Sequence, residues 1–283
     1  MIHNKILKIF DLTGKIAFVT GASEGTLGFF MAEALAEAGA TVSVSSKTAD
    51  LSPTLENLKE KGSVGIALKM DVADPQSVKE GFMEIEKKFG KINIVINSAG
   101  TIIRKPALEM TIEEWQSVIN VDLTGTWLVD REAARLMIRK GTSHGGRIIN
   151  VSSQLGSVVG MLPESAYYAS KAGIIHLTKA LAVEWAKYGI NVNCIAPGPF
   201  YPTKMTADLT KEPGLLEALA KRTLKGRVGD PSKDLKGAII YLASDSSDYM
   251  TGQTIYVEGG WLSLYKLLFF YKCVAQCWIY NRY

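Results

Sequence analysis

The sequence has little with which to build a disulfide framework, a metal centre or a nucleic-acid surface. Its 283 residues include only three cysteines, Cys194, Cys273 and Cys277, an odd number at spacings that match neither a zinc knuckle nor a redox CxxC pair. The three histidines, His3, His144 and His176, are scattered and form no HExxH pattern, so no metal is expected. Charge of one sign is scarce too: 32 Lys+Arg against 28 Asp+Glu leave a formal net charge of +4 without basic blocks. A dedicated nucleic-acid binder normally clusters its charge, so no such partner is expected. The opening MIHNKILKIFDL is too short and too interrupted by charge for a signal peptide, and a reducing cytoplasm is the expected compartment. The apolar end, Trp261 to Tyr283, is broken by Lys266 and Lys272. A membrane span wants about 20 mostly apolar residues with few charges, so a membrane partner is not expected.

What is present is a core and a rhythm. Hydrophobic residues at 47% and charged residues at 21% suit an ordinary globular interior and surface. Short apolar runs alternate with helical spacings. Strands are predicted at Lys15–Thr20, Thr41–Ser46, Val64–Met70, Ile92–Asn97, Arg147–Val151, Ile190–Ile195 and Thr254–Val257. Helices are predicted at Gly28–Ala38, Leu55–Lys61, Pro75–Phe89, Thr111–Lys140, Ala166–Tyr188 and Pro231–Ala243. Strands separated by one helix each run parallel, because the crossover returns the chain to the same end. The expected fold is therefore α/β: a doubly wound parallel sheet (Rossmann fold) with helices on both faces. No linker, low-complexity tract or repeat divides it. A single domain over residues 1–262 and an apolar extension over 263–283, of no assigned role, are expected.

Two motifs carry chemistry. The first predicted strand ends in Thr20-Gly21-Ala22-Ser23-Glu24-Gly25-Thr26-Leu27-Gly28 and opens directly into a helix. Glycines there let the backbone turn sharply and approach a pyrophosphate at the positive helix N-terminus. An ordinary strand–helix turn also uses glycine, but placement in the first βαβ unit favours a dinucleotide. The second motif is Tyr167-Tyr168-Ala169-Ser170-Lys171. At i and i+4 on one helix, the Tyr167 phenol and the Lys171 ammonium share a face. A tyrosine's reference pKa is about 10, so ionising it near pH 7 costs roughly 4 kcal/mol unless a nearby cation helps.

With Ser152-Ser153 upstream and SAYYASKAG around the pair, the chain resembles the short-chain dehydrogenase/reductases, over about residues 10–262. The resemblance implies that Tyr167 is the acid/base, and that Lys171 lowers its pKa and binds the nicotinamide ribose. It makes Ser153, rather than Ser152, the carbonyl-orienting serine, and leaves Tyr168 to packing. Asn120, in NVDLTG, matches the asparagine that holds a water in the family's proton relay. The glycine loop has one residue more than the family's TGxxxGxG, and Gly21, Ser23, Gly25 and Gly28 are its implied cofactor residues. Asn97-Ser98-Ala99-Gly100 resembles the NNAG motif, with Asn97, Ala99 and Gly100 on the adenosine side. Asp71 and Val72 are similar to the pair at the adenine ring; Pro197, Gly198 and Thr203 to the residues bordering the nicotinamide.

NAD-preferring relatives carry an acidic residue at the end of the second strand, where it binds the ribose hydroxyls. Here Ser46-Lys47 stands instead, and a hydroxyl and an ammonium suit a 2′-phosphate, so NADP(H) is favoured over NAD(H). The stretches SAGTIIRKPALEMTIEEW, ALAVEWAKYGINVNCIAPG and SDYMTGQTIYVEGGWL resemble the gluconate 5-dehydrogenase and 2-deoxygluconate dehydrogenase branch. The expected reaction interconverts a secondary alcohol and a ketone on a small-molecule sugar acid. A 3-oxoacyl thioester reductase, a glucose dehydrogenase or a nucleotide-binding regulator of impaired activity are the alternatives. Arg104, four residues beyond Gly100 in the loop leaving the fourth strand, offers a planar fork suited to the substrate carboxylate. Family members are commonly tetramers, so a homotetramer is expected.

Overall fold

Three of the strands are buried along their entire length, which is what continuous apolar runs demand when both faces of a sheet are covered. They are β1 (Ile16–Thr20), β4 (Ile94–Asn97) and β5 (Arg147–Val151). The computed structural model describes residues 3–140, 145–160, 162–211 and 213–263. With β2 (Thr41–Ser46), β3 (Ala67–Lys69), β6 (Asn191–Pro197) and β7 (Thr254–Val257), they form one seven-stranded sheet. Its order is β3-β2-β1-β4-β5-β6-β7, and every pairing is parallel. The expected doubly wound architecture is present.

The helices are α1 (His3–Lys8), α2 (Leu27–Glu37), α3 (Ser52–Glu60), α4 (Pro75–Phe89), α5 (Ile112–Ile119), α6 (Gly125–Lys140), α7 (Ser165–Trp185), α8 (Leu215–Lys221) and α9 (Lys236–Ala243). On one face of the sheet, Met31 and Leu35 of α2 and Ile239 and Leu242 of α9 pack over Val19, Val44 and Ile96. On the other, Phe82 and Ile85 of α4, Leu136 and Met137 of α6, and Leu181 of α7 cover Phe18, Val95 and Ile148. Phe18 meets Phe82 edge to face at 5.6 Å between ring centroids. Each fully buried side chain of this size stabilises the fold by about 1.5–3 kcal/mol.

The departures from the predicted elements have local causes. β3 is three residues long rather than seven. Val64 is 68% exposed, and at Gly65 a Cβ would fall 1.7 Å from the Val42 carbonyl oxygen, so the chain crosses there instead of pairing. The long predicted helix over 111–140 is broken by a π-helical turn, Asn120–Thr124, between α5 and α6. Helix α9 begins at Lys236 rather than Pro231. The sequence reading missed α1, α8 and a 3₁₀ segment, Lys204–Lys211. No helix of the described residues is long and apolar enough to cross a membrane. Nearly all of the expected C-terminal extension, residues 264–283, lies outside the described residues, with Cys273 and Cys277; His144 does as well.

β1 is the turning point of the strand order, with β2 on one side and β4 on the other. Ligands of such sheets bind in the crevice at the carboxyl ends of the strands flanking that switch. The glycine loop after β1, the NSAG segment after β4, Ser153 after β5 and Gly198 after β6 all lie at this end.

Candidate active site

The glycine loop is held from several directions. Thr26 is the N-cap of α2: its Oγ1 accepts the Phe29 N–H at 3.2 Å and lies 2.8 and 2.7 Å from the carbonyl oxygens of Gly21 and Ser23, to which it donates. The additional residue of the loop is thus absorbed as a cap. Gly28 keeps the close helix–strand packing role, since a Cβ there would lie 2.6 Å from the Gly21 oxygen. Gly21 and Gly25 have φ of 63° and 76°, a region that favours glycine. A Cβ on Gly21 would also stand 2.6 Å from Ala99 Cα. The Thr20 hydroxyl accepts from the Ser98 and Ala99 N–H groups at 3.1 Å, tying the two loops together. Ser23, buried, takes a 3.4 Å hydrogen bond from Lys204, whose backbone N–H bonds the Gly25 carbonyl at 2.8 Å.

At the outer edge, Lys47 and Asp71 form an ion pair at 2.7 Å. Partial burial works to raise the Asp71 pKa, but the Lys47 ammonium and the Ala73 N–H outweigh it and hold the carboxyl below its ordinary range. Ser46 accepts the Ala49 N–H at 3.1 Å. Val72 points into the core against the first turn of α6, which leaves its backbone, not its side chain, for an adenine contact.

Asn97 likewise faces inward. Its Nδ2 donates to Asp130 and, at 2.9 Å, to Asn150 Oδ1, so it braces β4 against β5 and α6 from below the crevice. Burial of Asp130, opposed by hydrogen bonds from Asn150 and Asn97, lifts its pKa from 3.8 to about 8. The fold therefore holds this carboxyl protonated while the unfolded chain releases the proton near pH 4. Its contribution to stability is complete at low pH and is lost as pH rises toward about 8. Asp130→Asn removes this titration, so the variant's Tm should be flatter with pH than that of wild type, read by thermal melts from pH 5 to 8.

The reacting groups converge at the start of α7. Tyr167 and Lys171 are both buried, and the Lys171 Nζ stands 5.3 Å from the Tyr167 ring centroid. Burial raises the Tyr167 pKa; Lys171 pulls it down, Asp122 pushes it up again, and the Ser153 hydroxyl lowers it. The net direction is upward. Ser153 is buried after β5 and accepts the Leu155 N–H at 3.1 Å. Ser152 instead donates to the Lys171 carbonyl at 2.7 Å, a brace for the helix. Tyr168 donates to the Leu162 carbonyl at 2.7 Å and packs beside the site.

The Asn120 Oδ1 accepts from Gln116 at 2.6 Å, and Asp122, fully buried, meets the Lys171 ammonium directly at 3.2 Å. The π-helical turn presents Asp122 to the lysine.

On the far wall, Pro197 closes β6, and Gly198 has Glu258 against it. The Gln154 Oε1, buried and without a partner, lies 3.0 Å from where a Cβ on Gly198 would sit. Thr203 is buried, with its hydroxyl 2.7 Å from that of Thr206 at the start of the 3₁₀ segment. Gly100 abuts the Asp122–Lys171 pair, both within 3.6 Å of its Cβ position. Arg104, expected as an open fork, is ion-paired: its Nε meets Glu164, 3% exposed, at 2.7 Å. Glu164 immediately precedes α7, and the Lys105 N–H bonds the Pro163 carbonyl at 2.8 Å. The loop after β4 is thereby fastened to the helix that carries Tyr167.

A family model described as enoyl-(acyl carrier protein) reductase matches residues 21–262. A 2-dehydro-3-deoxy-D-gluconate 5-dehydrogenase of Dickeya dadantii is 38% identical, covering 91% of this chain and 99% of the relative. The chain belongs to the short-chain dehydrogenase/reductase family. Its members are oxidoreductases, and this chain is an enzyme of that class acting on CH–OH groups. A 3-oxoacyl-(acyl-carrier-protein) reductase of Vibrio harveyi is also 38% identical, over 88% of this chain and 98% of its own. The crystal structure of a gluconate 5-dehydrogenase from Burkholderia cenocepacia, in complex with NADP and tartrate, superposes with a TM-score of 0.85 at 34% identity. It spans 92% of this chain and 100% of that one. The short-chain dehydrogenase fold thus carries, in this chain, site residues that motif reading overlooked: Asp122, Gln154, Glu164 and Lys204. Asp122 lay inside the NVDLTG segment, and an acid two residues from Asn120 was the available signal. The other three had none.

Proposed function

We propose that the protein is an NADP(H)-favouring oxidoreductase that interconverts a ketone and a secondary alcohol on a sugar acid of the gluconate type. The observation that carries this reading is the Arg104–Glu164 pair beside the Tyr167 helix. With Nε on Glu164, the terminal nitrogens of the guanidinium are left to take a carboxylate, and a carboxylate is what a sugar acid has and glucose lacks. The names of the Dickeya and Burkholderia relatives support the same substrate class.

The residues present fit a dinucleotide. Gly21 and Gly28 let the loop pack directly against Ala99 and the start of α2, which leaves the loop's backbone at the helix N-terminus for a pyrophosphate, and the orphaned Gln154 oxygen faces the Gly198 wall. Gly21, Ser23, Gly25 and Gly28 would hold the pyrophosphate, Ser46 and Lys47 a 2′-phosphate, and Lys171 the nicotinamide ribose. Ala99, Gly100, Pro197, Gly198 and Thr203 would border the rings, with Asp71 at the adenine edge. Support for NADP(H) over NAD(H) comes from Ser46-Lys47 and from the NADP in the Burkholderia relative. A bound nicotinamide supplies the hydride donor or acceptor. The chain supplies the rest: Ser153 orients the carbonyl oxygen, Tyr167 donates its phenolic proton to it, and Lys171 stabilises the tyrosinate left behind. In alcohol oxidation Tyr167 takes the proton back. No metal is needed, because the Ser153 and Tyr167 hydroxyls already stabilise the developing oxyanion. A cytoplasmic homotetramer is proposed for the assembly, on family resemblance and on the exposed apolar Trp127, Ile138 and Val183 of α6 and α7.

The test is a reductase assay with NADPH and with NADH on ketogluconates, a neutral ketone and an acetoacetyl thioester. Ketogluconates with NADPH should give the highest kcat/KM. Arg104→Met should raise KM for the acids by about ten-fold or more, as expected when a charge-assisted bond of roughly 1.5–3 kcal/mol is lost, and leave the neutral ketone little changed. Equal losses on acid and neutral substrates would mean that Arg104 only braces the loop. A thioester preferred over the acids would overturn the substrate class.

A further inference from the structure

The glycine loop meets a cation that comes from far along the chain. Lys204 opens the 3₁₀ segment Lys204–Lys211, which follows β6. Its backbone N–H donates to the Gly25 carbonyl at 2.8 Å. Its side chain then runs over the loop, with Cγ and Cε 3.7 and 3.9 Å from where a Cβ on Gly25 would sit. At its end, Nζ donates to the Ser23 hydroxyl at 3.4 Å. Ser23 and Lys204 are 181 residues apart in the chain, so only the fold brings them together.

The charges at this place do not balance. The loop ends at Thr26, the N-cap of α2. A helix N-terminus is the positive end of its dipole, where anions are stabilised and cations are not. The first turn of α2 carries no acidic residue. Among the described residues no carboxylate pairs with Lys204, whereas Lys47, at the outer edge of the crevice, is already held by Asp71 at 2.7 Å. Lys204 is exposed, so its charge stays open to a ligand. An ammonium set beside a helix N-terminus with no carboxylate between them suits an anion shared by both.

We propose that Lys204 is a cofactor-binding residue: its ammonium joins the N-terminus of α2 in holding the pyrophosphate that NADPH and NADH have in common. This rests on the reading of the glycine loop as the dinucleotide site. The phosphate charges are then divided between two lysines. Lys47, after β2, stands where a 2′-phosphate distinguishes the two cofactors. Lys204 stands over the turn from β1 to α2, where the two cofactors are alike, and so it raises affinity for both without choosing between them.

The experiment is calorimetric titration of wild type, Lys204→Met and Lys47→Met with NADPH and with NADH. Methionine keeps an unbranched side chain over Gly25 and leaves the main-chain bond to the loop in place, so the charge is what is lost. Lys204→Met should weaken NADPH and NADH alike, by about ten-fold or more, as when a charge-assisted bond to a phosphate is removed. Lys47→Met is the contrast and should weaken NADPH more than NADH. A loss in Lys204→Met confined to NADPH would move the lysine to the 2′-phosphate and overturn the proposal. Affinities for both cofactors equal to those of wild type would overturn it as well. A second measurement follows NADH affinity against ionic strength, since salt screens exposed charges. The affinity should fall less steeply with salt in Lys204→Met than in wild type, and parallel slopes would remove the role of the charge. The two readings fail separately. A wild type that binds neither dinucleotide removes the cofactor site itself, while wild-type binding untouched by Lys204→Met removes only the role of Lys204.

Discussion

Tyr167→Phe should lower kcat by about 10²–10⁴-fold, the usual worth of a positioned general acid–base, while NADPH binding changes little. The substitution deletes one oxygen and keeps the ring, so the packing of Tyr167 with Val118 and Ala166 survives. Lys171 keeps Asp122 and the Val151 carbonyl as partners, and the fold loses no buried charge pair. Tyr168→Phe is the matched control. Its hydroxyl donates to the Leu162 carbonyl, so its loss costs about 1 kcal/mol of stability and spares turnover. Steady-state rates with nucleotide titration by fluorescence separate the two. Comparable activity in both variants would remove Tyr167 from the reaction.

A large effect is also expected from one methyl group at Gly28. In Gly28→Ala the new Cβ would lie 2.6 Å from the Gly21 oxygen, 3.0 Å from its carbonyl carbon and 3.1 Å from Ala22 Cα. All three are backbone atoms, so no rotamer change relieves the contact. Either α2 moves away from the loop or the loop moves from the crevice, and both displace the N–H groups that would meet a pyrophosphate. Overpacking of this kind costs about 1–3 kcal/mol, and NADPH affinity should fall by about ten-fold or more, since each decade is 1.4 kcal/mol. Gly25→Ala makes the contrast. Only the flexible Lys204 side chain comes within 4 Å of its Cβ position, so its penalty is the left-handed backbone alone, about 1 kcal/mol. Calorimetric titration of both variants checks the order. Unchanged affinity in Gly28→Ala would show that the third glycine of the loop is not where the helix and the cofactor cradle meet.

The parts of the molecule legible in the sequence are those governed by short-range rules. Apolar runs and helical spacings marked all seven strands, because burial on both faces of a parallel sheet makes β1, β4 and β5 mostly apolar, the exceptions being the hydrogen-bonded Thr20, Asn97, Arg147 and Asn150. Tyr167 and Lys171 could be paired because four residues on one helix always return to one face. The N-terminal end of α4 was legible from Pro75, which the first turn of a helix accepts.

Local spacing sets the order of elements, the helix face bearing the phenol and the ammonium, and the loops that meet at one end of the sheet. The neighbours that complete the site come from how those elements pack. Thr26 became a helix cap rather than a loose insertion, since its hydroxyl reaches two carbonyls of the turn it ends. Arg104 found Glu164 and Lys47 found Asp71 across gaps of 60 and 24 residues, pairs that no local pattern encodes. Asp122 came to face Lys171 and the Thr101 N–H from a π-helical turn that joins α5 to α6. Periodicity fixes which residues share a face, but which charge stands opposite depends on the approach of a second element, and that is a property of the folded molecule alone.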